Sequence, residues 1–143
     1  MKIKSAGILM GCLCLLAAGS WAHAGGRIHY SNLYNPATVK TTRGEVVSLA
    51  KTISGNGKRY CETLMLKTKD GTFWVILKPE NFRPKTSLTL QPGDQVEITG
   101  SWVSLPGKTA IIAATVKKGN DLMVLRDPTG RPAWAVGNDW HAP

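Results

Sequence analysis

The chain has 143 residues, with 18 lysines and arginines against 9 acidic residues for a formal charge of +9, and 43% of its side chains are hydrophobic. This is the size of one domain with a single modest core, and the basic excess favours acidic partners through long-range attraction. Three histidines and three cysteines, none in Cys-x-x-Cys or His-x-x-x-His spacing, argue against haem and zinc sites of the usual kinds.

The first segment reads as an export leader. Lys2 and Lys4 form a charged start, Ile8 to Ala18 a short apolar run, and Ala22-His23-Ala24 a cleavage site of the A-x-A type before Gly25-Gly26. The run is too short for a permanent membrane anchor, so the mature chain is expected to carry no transmembrane segment and to be periplasmic or secreted. Leu9-Met10-Gly11-Cys12 also has the form of a lipoprotein box. Cleavage before Cys12 would strand the apolar Leu13 to Ala18 on the mature protein, which disfavours that reading. Cys12 and Cys14 leave with the leader, so Cys61 stays alone in an oxidising compartment and the fold must stand on packing without an internal disulfide.

From residue 38 onward the periodicity predicts strand after strand. Val39 to Thr52 is β-rich and is broken by Ser54-Gly55-Asn56-Gly57. Tyr60 to Lys67 alternates, and Lys69-Asp70-Gly71 is a hairpin signal leading into the apolar run Thr72 to Leu77. Pro79-Glu80-Asn81-Phe82 predicts a short helical turn, stopped by Pro84. Gln91-Pro92-Gly93-Asp94 turns the chain into Gln95 to Val103, where Gly100 predicts a sharp bend. Leu105-Pro106-Gly107-Lys108 leads into Thr109 to Lys118, and Leu122 to Arg126 is a last short strand. Asp127-Pro128-Thr129-Gly130 then predicts a type I turn that folds Arg131 to Val136 back.

The expected fold is all-β: a five-stranded OB-like Greek-key barrel with a short helical turn between its third and fourth strands and an extra C-terminal strand or hairpin. The expected organisation is a signal peptide over 1–24, an N-terminal extension over 25–37, the barrel over 38–126, and a C-terminal turn, short strand and mobile tail over 127–143.

Gly93 to Ser101, Ile111-Ile112-Ala113-Ala114 and Leu125-Arg126-Asp127-x-x-Gly130-x-Pro132-x-Trp134 resemble a family of small exported bacterial OB-fold proteins of unestablished function. Its members are loosely described as DNA-binding or magnetosome-associated. The likeness spans roughly 35 to 135, and its C-terminal stretch is the distinctive part. It implies no catalytic residues.

The usual ligand face of such a barrel would draw here on Lys51, Lys58, Arg59, Tyr60, Phe73 or Trp74, and Lys108, cations beside flat apolar rings. Parity does not decide which of Phe73 and Trp74 faces out. In the tail, Trp134 is expected to cap an open end of the barrel, with Arg126 or Arg131 against it or paired to Asp127, and Gly130 closing the turn. The mature chain keeps only His29 and His141, and Ser48, Ser87, Ser101 and Ser104 lack a glycine-elbow context, so no metal, no cofactor and no enzymatic activity are expected. The functional expectation is an exported, non-catalytic binding or assembly module of the cell envelope that recognises a protein or an anionic glycan. A single-stranded nucleic-acid binder and a structural accessory of an envelope complex, magnetosome-type included, are the alternatives.

Overall fold

A computed structural model of the chain describes residues 30–53 and 60–135. The leader, Cys12, His29, Lys58, Arg59, Trp140 and His141 lie outside the described residues. The elements are α1 (Tyr30–Leu33), a 3-10 turn (Pro36–Thr38), β1 (Val39–Ile53), β2 (Tyr60–Thr68), β3 (Gly71–Pro79), β4 (Gln95–Leu105), β5 (Lys108–Lys118) and β6 (Asp121–Val124).

All the strands belong to one sheet that closes on itself. The first half of β1 pairs antiparallel with β4, from Val39↔Ser101 to Glu45↔Gln95. Its second half pairs antiparallel with β2, from Glu45↔Lys67 to Ile53↔Tyr60, so Glu45 serves both neighbours. β2 pairs with β3 and β4 with β5. A short parallel contact, Trp74↔Ala110 to Ile76↔Ile112, joins β3 to β5 and completes the ring. β6 lies antiparallel along the far end of β5, and the bridge Arg126↔Pro132 continues the tail beside it.

Alternation builds the interior. Leu64, Leu66, Val75, Leu77, Val96, Ile98, Ile111 and Ala113 turn inward with Val46, Val116, Met123 and Leu125 to form the main core. Inward positions on β5 shift from Ile111 and Ala113 to Val116 because the register slips between Thr99 and Gly100, leaving Ala114 as the extra residue. The Ala114 carbonyl then accepts from both Leu125 N and Arg126 N, at 2.7 and 3.0 Å. A smaller cluster, Cys61, Ile76 and Ile112, lies on the outer face under Tyr30, Tyr34, Trp74 and Val103. Both faces of β3 are therefore covered, which accounts for its unbroken apolar run.

The short turn expected between β3 and β4 is a single one: Phe82 N donates to Pro79 O at 3.1 Å, and irregular chain follows up to Pro92. Pro84 removes the donor that a continued helix needs, and the Phe82 carbonyl accepts instead from Lys78 Nζ at 2.9 Å. The segment still packs its apolar side chains, Phe82, Leu88 and Leu90, against the core. Helical turns occur before β1, where Asn35 caps Pro36–Thr38 by accepting from Ala37 N at 2.9 Å.

The turn into β4 is held electrostatically. Asp94 accepts from Gln91 N and from Lys118 Nζ, each at 2.8 Å, and Lys118 also donates to Thr89 O. The hydrogen bond from Lys118, then that from Gln91, holds the Asp94 carboxyl below its usual range. A carboxyl depressed on folding adds stability that is complete above the unfolded value, about pH 4, and is lost as pH falls through the lower folded value. Asp94→Asn should therefore flatten the acid limb of stability below about pH 4. Urea midpoints between pH 2.5 and 7 check this, and parallel profiles for the two proteins would refute it.

Candidate functional site

The structure distributes the predicted face over separate parts of the barrel. Lys51, on the second half of β1, is paired with Glu80. Tyr60 is 51% exposed at the start of β2, opposite Ile53. Adjacent residues on β3 separate to opposite faces: Phe73 packs against the main core, and Trp74 joins the outer cluster. Lys108 Nζ lies 3.8 Å from the Trp74 ring centroid, and Tyr30 meets the same indole edge-on at 5.7 Å. Lys108 and Trp74 thus share a surface, part of which the N-terminal segment covers. Phe73 instead meets Trp102 at 4.7 Å in a T-shaped pair.

That pair floors a groove of about 830 Å³ that sequence reading passed over, with Lys40, Arg43 and Lys69 among its polar walls. Lys40 Nζ sits 5.6 Å from the Trp102 centroid, and Arg43 bonds Glu97 at 2.8 Å. The signal was present as basic residues in β1 and an aromatic in β4. Only the pairing of strands more than fifty residues apart, Arg43↔Glu97 among them, brings these together.

A second cavity, of about 290 Å³, opens between β1, β2, β3 and the β3–β4 connection. Leu49, Leu77, Leu88, Leu90 and Met123 make it mostly apolar, and Lys78 and Glu62 stand in its wall. The Lys78 side chain is only 6% exposed. It is satisfied by Glu62 Oε2 at 3.2 Å and Phe82 O at 2.9 Å, so the buried cation is both paired and hydrogen-bonded.

In the tail, the Asp127 carboxylate accepts from Thr129 Oγ1, Thr129 N and the Arg131 backbone N rather than from an arginine side chain. The Thr129 hydroxyl bond leads in holding it below the usual carboxylate range. Arg126 is buried, with its guanidinium carbon 5.0 Å from the Trp134 ring and 5.6 Å from that of Tyr34, and it donates from Nη1 to Gly130 O at 3.1 Å. Desolvation lowers its pKa to about 10. Trp134 also packs against Phe82 at 5.4 Å. Arg126 thus ties the N-terminal Tyr34 to the C-terminal Trp134.

Burial pushes the Cys61 thiol up to about 11. Against an ordinary thiol near 8.5, that leaves on the order of a hundredfold less thiolate at neutral pH. Alkylation of Cys61 by iodoacetamide at pH 8 should be at least a hundredfold slower in the folded chain than in urea. Equal rates would show an accessible, activated thiol instead. Among the described residues no three His, Cys, Asp or Glu side chains gather as metal ligands, and no helix is long and apolar enough to cross a membrane.

The model of the MamS/MamX magnetosome protein family matches residues 38–123. The chain belongs to the MamS/MamX family. Its match runs from the residue before β1 to the penultimate residue of β6, so the MamS/MamX unit coincides with the closed sheet. The Leu125 to Trp134 stretch, on which the likeness in sequence was most distinctive, lies beyond it. No curated protein and no solved structure matches the chain.

Proposed function

We propose that this chain is a non-catalytic accessory module of the magnetosome, exported through its leader and acting by holding a partner protein against the barrel. The observation that carries this reading is the extent of the family match, which spans β1 to β6 and little else. The matched residues are those that build the closed sheet. The barrel itself reads as an OB-fold: a long β1 shared between β2 and β4, and a ring closed by parallel β3 and β5, support that assignment. Among the described residues four basic side chains are paired with carboxylates, Arg43 with Glu97, Lys51 with Glu80, Lys78 with Glu62 and Lys118 with Asp94, which lessens the pull of those four on a polyanion.

Fractionation tests this reading. The chain should co-isolate with magnetosomes from cells that express it and stay bound through a wash at about 0.5 M salt, where exposed charge pairs are strongly screened. Absence from that fraction would refute the accessory role. Release at moderate salt would favour the second reading, an anionic glycan at the cations over Trp74 and Trp102.

A further inference from the structure

We propose that the second half of β1 is a docking edge that accepts one extended, uncharged, apolar segment of a partner protein as an added strand. The inference rests on the accessory-module reading and gives it a surface and a partner chemistry.

β1 leaves β4 at Glu45↔Gln95 and keeps only two further backbone bonds on that side, Val46 N to Asp94 O and Gly93 N to Val46 O. From Val47 to Ile53 it pairs with β2 alone, and among the described residues no strand lies on its other side. Such an edge presents a row of unsatisfied donors and acceptors, the template for strand addition.

The side chains here are equally uncovered. Val47 to Lys51 are five consecutive exposed residues in a strand that alternates from Thr42 to Val46, with Val47 48%, Leu49 43% and Ile53 61% exposed. The 290 Å³ apolar cavity begins at Leu49, Ala50 and Lys51 and extends to Leu88, Leu90 and Met123. An incoming strand would gain main-chain bonds along β1 and a pocket for one aliphatic side chain, the combination that gives strand addition its affinity and its selectivity.

Charge identifies the occupant. The full sequence carries +9, Lys2 and Lys4 of the leader included, yet the cations at this edge are neutralised, Lys51 by Glu80 and Lys78 by Glu62. Among the described residues, the two cations that line the cavity, Lys51 and Lys78, are both already paired and offer a polyanion nothing. A second copy brings the same positive net charge, so two copies repel at long range. A neutral apolar segment meets neither obstacle.

The test compares amide hydrogen exchange in the purified chain and in the chain recovered in its complex from its own cells; presence of that complex in the magnetosome fraction is scored separately. In the purified chain the outward amides between Val47 and Ile53 should exchange at least tenfold faster than those of β4 and β5 at every protein concentration. In the complex they should slow at least tenfold, and Leu49→Glu, folded by circular dichroism, should abolish the slowing. Protection in the dilute purified chain would mean that the chain's own segments fill the edge. Protection that rises with concentration would mean a second copy. No slowing in the complex would mean a different surface. Each of these overturns the inference, whereas a protected edge in a complex outside magnetosomes would overturn only the accessory reading.

Discussion

Gly100→Ala is expected to cost about 3 kcal/mol and Gly100→Val to leave the chain mostly unfolded. A Cβ at this position would lie 2.3 Å from the Ile112 carbonyl oxygen and 3.0 Å from Ala113 Cα. Both are backbone atoms of the paired strand, so no rotamer change relieves the contact. β4 must separate from β5 where the register already shifts and Ala114 bulges out to serve β6. With a total stability of about 5 to 15 kcal/mol for a domain of this size, the loss should lower the melting temperature by roughly 10 °C or more. Gly107→Ala is the control. Its φ of +75° strains an alanine, but an added Cβ meets nothing within 4 Å, so it should cost only about 1 kcal/mol. Urea unfolding followed by circular dichroism compares the two, and similar losses would refute the close-approach argument.

Ile111→Ala should cost about 4 kcal/mol, and more than Ile112→Ala by about 1 kcal/mol. Neither side chain is exposed, so burial alone does not separate them. Ile111 belongs to the main core and pairs with Val75 on one side and Trp102 on the other, at the contact that closes the ring. Strands bound into a ring cannot move in to fill the void. Ile112 lies on the opposite face, roofed by Tyr30, Tyr34 and Trp74. Its covering comes partly from a single short turn and can settle onto the smaller side chain. Denaturant midpoints of the two variants decide this, and a larger loss at Ile112 would mean that the N-terminal cover is as rigid as the barrel.

Much of the strand map was legible because it is local. Lys69-Asp70-Gly71, Pro106-Gly107 and the Gln91 to Asp94 turn mark the strand ends, and alternation within β2 and β4 selects Leu64, Leu66, Val96 and Ile98 for the interior. The position of Gly100 also announced an irregularity where the register slips. The turn expected after Pro79 stops at one turn for a reason that local propensity does not fully contain: the Phe82 carbonyl is taken by a lysine side chain and Leu88 and Leu90 are drawn to the core. Phe73 and Trp74 were ambiguous because a strand covered on both faces carries no alternation.

Composition, charge and turn chemistry by themselves determined a small, basic, all-β domain with its strands in this order, since each of those properties is fixed by residues within a few positions of one another. Which strands meet was decided only in three dimensions. The parallel contact of β3 with β5, the sharing of β1 between β2 and β4, the Phe73 and Trp102 groove and the open edge from Val47 to Ile53 all depend on contacts between residues far apart in the chain. Such contacts are selected by the total burial that ring closure achieves, a property of the whole chain rather than of any segment of it.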